Sequence, residues 1–370
     1  MLELLKQSSN PEICRPLAEA VKEKAKEYYR VHGRKPAFME VCGSHTMALA
    51  RSGVKQALLN EVNLISGPGC PVCVTDQKSI DAMIALAEGE GRIICTFGDM
   101  MRVPGSRYTL MSAKTAGKDI RVLYSPMEAI KIAEQHPDKE IVFLGVGFET
   151  TIPILSLLIG EADQRGLGNF SIWMATKLVE PILRYLLDQG ETQIDGFLLP
   201  GHVSIVLGEG SYSYLADEYN ISGVITGFEP AELLSGIYKL IDIAASPEAK
   251  ILNDHKSIVT KQGNIVARKW MATYFTHCDE AWRGIGIIPK SGLDFKPGYE
   301  RYNAKKRFNV RMEEPRKTKC RCGEVIRGLV SPNECSLFGK ACKPLNPIGP
   351  CMVSAEGSCS AYYQYMRESI

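Results

Sequence analysis

Apolar positions along the chain follow two rhythms. Residues 11–30, PEICRPLAEAVKEKAKEYYR, carry apolar side chains at helical spacing among strong helix formers, and HGRKP then breaks the run, so one entry helix is expected. After it, short β-branched or apolar runs alternate with helical stretches. Residues 37–42 (AFMEVC), 62–66 (VNLIS), 92–97 (RIICTF) and 121–124 (RVLY) form one series. Residues 140–145 (EIVFLG), 171–175 (SIWMA), 195–199 (DGFLL) and 222–226 (SGVIT) form a second. Short strands alternating with helices predict parallel sheets built from βαβ units.

The expected fold class is therefore α/β, with two similar parallel-sheet βα domains at 37–125 and 126–244. From about 245 the alternation is lost and Lys, Pro, Gly and Cys rise, which predicts a third, mostly helical or irregular region at 245–370. The N-terminal segment 1–36 is expected to pack on that C-terminal region. In open parallel sheets ligands bind beyond the carboxyl ends of the strands. Cys42-Gly43-Ser44-His45-Thr46, Gly67-Pro68-Gly69-Cys70-Pro71-Val72-Cys73 and Phe97-Gly98-Asp99 sit at such ends in the first series. Gly147-Phe148-Glu149-Thr150 and Pro200-Gly201-His202-Val203-Ser204 do so in the second, so loops from both domains are expected to face one cleft.

Composition narrows the function. Hydrophobic residues make up 45% and charged residues 23%, as in an ordinary globular chain. Forty-four basic against 42 acidic residues leave a formal charge of +2 without long single-sign runs, so no nucleic-acid partner is expected. No apolar run reaches the ~18 residues that span a bilayer, and the first 20 residues lack a secretory pattern, so a cytoplasmic protein with no membrane association is expected. In that compartment 12 cysteines read as metal ligands or redox thiols rather than structural disulfides.

Cys42 precedes a helix whose N-cap could be Ser44, and the positive end of the helix dipole favours a thiolate there. His45 could be a second ligand, a general base or an orienting partner, against the plainer reading of a buried cysteine with a capping histidine. Cys70 and Cys73, in GPGCPVC, have the spacing of a dithiol-disulfide pair, and Cys95 inside a strand pattern reads as core. Six cysteines, 320, 322, 335, 342, 351 and 359, lack the tight pairs of a zinc knuckle. Their wide intervals suit a 4Fe-4S cluster held by four thiolates, but spacing alone does not choose which four. GVGFET at 145–150 is a weak dinucleotide fingerprint because Thr150 stands where a third glycine belongs. Glu149 and Glu229 are candidate proton-handling carboxylates or plain loop charges. His202 could contact a ligand or cap a helix.

Taken together, EVCGSHT (40–46), GPGCPVC (67–73), TFGDMMRVPG (96–105), GFETT (147–151), PGHVS (200–204), CGEV (322–325), ECSLFG (334–339) and SCSAYYQY (358–365) resemble the HypD family of hydrogenase maturation factors from end to end. The resemblance implies a redox-active scaffold, rather than a turnover enzyme, on which the Fe(CN)2CO unit of nickel-iron hydrogenase is assembled. It implies work with the small chaperone HypC, cyanide from HypE with HypF, and delivery to the hydrogenase large subunit through HypC. By position, Cys42 matches the iron-holding cysteine, His45 its neighbouring histidine, and Cys70 and Cys73 the redox pair. Cys322, Cys335, Cys342 and Cys359 match the 4Fe-4S ligands, leaving Cys320 and Cys351 without a counterpart. Met47 stands where many relatives have a second histidine. An apolar groove beside Cys42 is expected for the small partner. The competing reading is an iron-sulfur dithiol-disulfide oxidoreductase acting on a client protein.

Overall fold

The computed structural model describes residues 8–310 and 314–366. Two parallel sheets organise them, but the chain does not fill one before starting the other. Strands β1 (Ala37–Glu40) and β2 (Asn63–Ser66) begin the first sheet. The chain then leaves to build the whole second sheet from β3 (Arg92–Thr96), β4 (Ile120–Val122), β5 (Glu140–Gly147) and β6 (Phe170–Thr176) in the order β4-β3-β5-β6. It returns through β7 (Gly196–Pro200), β8 (Ser222–Thr226) and β9 (Ile251–Asn253), giving the first sheet the order β2-β1-β7-β8-β9.

The two α/β units are present, whereas the expected strand grouping is corrected: 125/126 falls inside the second sheet, between β4 and β5. The physical reason lies in burial. Strands covered on both faces read as continuous apolar runs, and such runs carry no information about their neighbour. β6 and β7 are buried at every position. The partner of β1 across its second edge, with Phe38 opposite Gly196, lies some 160 residues away.

The entry helix spans Pro11–His32, capped by the Asn10 side chain, started by Pro11 and closed by Gly33 in the left-handed region at φ 69°. Its buried stripe of Val21, Ala25 and Tyr28 packs on the helix Pro230–Ala244 outside the first sheet, sharing a core with Leu233 and Ile237. It does not pack on the cysteine-rich region as expected. Helical periodicity locates an apolar face without locating what covers it.

The third region is also more regular than expected. It begins inside the first sheet with β9, continues through the helix Ile265–Tyr274, and forms an antiparallel hairpin of β10 (Phe275–Trp282) and β11 (Gly286–Phe295). Phe275, Leu293 and Phe295 insert into the core of the second sheet, so the hairpin belongs to that layer. Beyond residue 314 short helices and turns prevail, ending in the helix Ser358–Tyr365, which lies on the helix Gly43–Arg51. Among the described residues no helix is long and apolar enough to cross a membrane.

Candidate thiol site

Backbone contact, rather than side-chain reach, brings the motifs together. Gly69 lies against the turn after β1. A Cβ there would stand 2.3 Å from the Val41 carbonyl oxygen and 2.4 Å from the Gly43 nitrogen, so only glycine permits the approach. Gly43 in turn lies against Glu356, where a Cβ would meet the Glu356 carbonyl oxygen at 2.5 Å. Residues 67–70, 41–43 and 354–357 are thus stacked main chain on main chain.

They enclose a cleft of about 140 Å³ whose wall includes Cys42, Gly69, Pro71, Phe148, His202 and Glu356, together with Ser44, Thr150, Thr151 and Val179. The loops following β1, β2, β5 and β7 all contribute, so strand ends from both sheets do meet in one cleft. Cys42 itself is the N-cap of the helix Gly43–Arg51, in place of Ser44, whose hydroxyl donates to Glu356 Oε1 at 2.8 Å. Burial pushes the Cys42 thiol up to about 11, and the Glu356 carboxylate adds to the rise. The Ser44 and His45 amides pull the other way without prevailing. The helix start therefore does not make a resting thiolate: at 9% exposure the loss of hydration outweighs the dipole.

Cys70 and Cys73 form a disulfide at the two ends of one helical turn, Pro71–Val74. Both cysteines are buried, at 5% and 2% exposure. This turn packs on the helix Cys322–Ile326 and the turn Pro350–Met352. Those elements carry part of a second cavity, lined by Cys320, Cys322, Cys335, Cys342, Cys351 and Cys359. The disulfide turn therefore touches both the Cys42 cleft and the elements that carry the cysteine cavity. Among the described residues no three His, Cys, Asp or Glu side chains are arranged to hold a single metal ion. The donor chemistry of the second cavity nonetheless fits an iron-sulfur cluster: six thiols share it with Val325, Leu337, Phe338 and Met352, and no carboxylate or imidazole lines it. Spare thiols and ligands are not separated by position, since Cys320 and Cys351 line the same space.

His45 stands behind the cleft rather than in its wall. Its ring is fully buried, with Nε2–H donating to the carbonyls of Thr226 (3.3 Å) and Gly227 (3.0 Å), which fixes the tautomer and leaves Nδ1 without a partner. Burial holds this imidazole down to about 4, so it is neutral. Its ring packs on Phe228 at 4.6 Å, and His202 stacks on the same phenyl at 4.0 Å. The exposed histidine of the cleft is thus His202. Glu149 turns away from Cys42 into a wider cleft lined also by Arg184 and His277, and burial raises its carboxyl to about 7. Glu229 is a helix cap, receiving Ser9 and sharing a capping box with Glu232.

Glu356 is the site residue that sequence reasoning passed over. It lies in MVSAEGSC, three residues before Cys359, and nothing in that run marks it as a neighbour of residue 42. The one available signal was Asp99: it accepts from Ser354 at 3.1 Å, while Arg102 donates to the Pro344 carbonyl, so the FGDMMR motif anchors the chain end.

The family profile described as "HypD: Hydrogenase formation hypA family" matches residues 12–366. The chain is similar to the hydrogenase maturation factor HypD of Escherichia coli K12, 40% identical over 97% of this chain and 96% of that protein. It is also similar to HypD2 of Bradyrhizobium diazoefficiens, 40% identical over 96% and 95%, and to HypD of Cupriavidus necator, 39% identical over 99% and 98%.

Proposed function

Because the chain belongs to the HypD family of hydrogenase maturation factors, we propose that it is the scaffold on which the Fe(CN)2CO unit is assembled, with Cys42 as the holding thiolate. The iron unit is cargo, bound at Cys42 together with a thiolate of HypC, supplied with cyanide by HypE and HypF, and passed through HypC to the hydrogenase large subunit. Low-spin ferrous iron with cyanide and CO is soft, and sulfur suits it better than oxygen. The observation that carries the reading is the cleft itself: a single thiol opens into a space walled by the disulfide turn and by Glu356.

The chain's own residues then have separate tasks. Cys42 rests as a thiol, held near 11, so metal binding must displace its proton and affinity rises with pH. Besides Cys42, Glu356 and His202 are the ionisable side chains that line the cargo cleft. Cys70 and Cys73 store two electrons and two protons when their disulfide opens to the dithiol. A 4Fe-4S cluster held by four of the six C-terminal thiolates, Cys322, Cys335, Cys342 and Cys359 in the first instance, supplies one-electron redox capacity when bound. Burial of both disulfide cysteines opposes attack by a client thiol, which disfavours the oxidoreductase reading.

The test is infrared spectroscopy of the protein isolated without oxygen together with HypC from cells holding the other maturation proteins. Cyanide and CO bands are expected in wild type and absent in Cys42→Ala with cluster content unchanged. Bands that persist in Cys42→Ala overturn the assignment.

A further inference from the structure

Beside the disulfide turn and the cysteine cavity stands Arg283, a cation that forms no ion pair with a carboxylate among the described residues. Arg283 opens the tip of the β10–β11 hairpin. Its amide donates to the Val74 carbonyl at 2.9 Å, Nε to the Thr75 carbonyl at 2.8 Å and Nη1 to Gln77 Oε1 at 2.7 Å, all within four residues of Cys73. The remaining nitrogen, Nη2, is buried with no partner among the described residues. The guanidinium meets two neutral acceptors, and a buried donor left unpaired is a costly arrangement to retain.

The next residue fixes where this charge sits. Gly284 lies against Gly323, its would-be Cβ 2.6 Å from the Gly323 Cα, so the hairpin tip touches the main chain beside Cys322. Cys320 and Cys351, which line the cavity, both lie within electrostatic reach of Arg283. Arg321, the cation in the cavity wall itself, is spent on an ion pair with Glu324.

We infer that Arg283 is the electrostatic positioning residue of the C-terminal metal centre: fastened to the segment after the disulfide and set beside the Cys322 main chain, it places a positive charge next to the cysteine cavity and favours the reduced form of the cluster held there. The inference rests on the cluster reading above. Reduction places one additional negative charge on the cluster and its thiolates, and a fixed cation in a low-dielectric setting stabilises that charge more than the oxidised state.

The experiment is a dithionite redox titration of the full-length protein, reconstituted with iron and sulfide without oxygen and followed by electron paramagnetic resonance, with iron and sulfide counted per chain. Arg283→Gln is expected to keep its cluster and, at the wild-type midpoint, to show a reduced-to-oxidised ratio about tenfold lower, which is about 59 mV for a one-electron couple. Arg283→Lys keeps the charge and loses the fork, so its ratio is expected to stay within about threefold of wild type; if Arg283→Gln loses the cluster, this variant alone carries the test. Glutamine with an unchanged ratio, or lysine with a ratio as low as that expected for glutamine, overturns the inference while leaving the cluster reading intact. A wild-type protein that takes up no cluster overturns both.

Discussion

Ser44 donates its hydroxyl hydrogen to Glu356 Oε1 at 2.8 Å, joining positions 312 residues apart in the chain. This bond holds a carboxylate at the mouth of the Cys42 cleft, where it raises the thiol beyond what burial does alone. Glu356→Gln keeps the shape and removes the charge. Alkylation of Cys42 at pH 8, followed by peptide mass spectrometry, is expected to speed up by about threefold, with burial still keeping it slow. A slower reaction would contradict the geometry.

The six cavity thiols separate by substitution where position does not separate them. Alanine at Cys322, Cys335, Cys342 or Cys359 is expected to lower cluster iron content sharply and to loosen the region after residue 314, because a vacated ligand weakens a centre that also fastens the chain. Alanine at Cys320 or Cys351 is expected to leave it near the wild-type level. Iron and sulfide analysis of the purified variants decides the set, and a reversed pattern at Cys320 and Cys322 would exchange their roles.

Glu149 gives a pH signature. Its carboxyl is lifted by burial from 4.5 to about 7, the Val179 amide offsetting part of the rise. A folded-state value above the unfolded one means that the native chain binds more protons between the two. Its contribution is therefore fully present below about 4.5 and lost as pH rises through 7. Glu149→Gln is expected to be more stable than wild type at pH 8, by roughly 3 kcal/mol at most, and no more stable at pH 4.5. His45, lowered to about 4, works in the opposite sense, costing stability as pH falls from 6.5. Thermal unfolding of both proteins across pH 4.5–8 measures the difference.

Gly69→Ala tests the stacking of main chains. A methyl group 2.3 Å from the Val41 oxygen has no rotamer to escape into, and a cost on the order of 2 to 3 kcal/mol is expected from the forced separation of the two loops. Gly168→Ala is the control, since nothing lies within 4 Å of its added carbon. Melting temperatures that fall together would refute the local explanation.

The sequence made some parts of this molecule plain and hid others for physical reasons. Strands, entry helix and strand-end motifs were legible because side-chain period and turn chemistry are local. Gathering of the strand-end loops followed from parallel-sheet geometry. The pairing of β1 with β7 was not legible, because fully buried strands look alike to any neighbour. The state of Cys42 was misread, because a helix dipole is visible in sequence and desolvation is not. Glu356 and Arg283 were invisible, since each acts through a contact that only the folded chain creates.

The interleaved strand order also bears on biosynthesis. A nascent chain that has threaded β1 and β2 out of the ribosome must wait through the whole second sheet before β7 arrives to flank β1. The wall supplied by Glu356 emerges later still, more than 300 residues after Cys42. The pocket around Cys42 thus closes only once residue 356 has appeared, so a polypeptide terminated before that point never displays it in finished form.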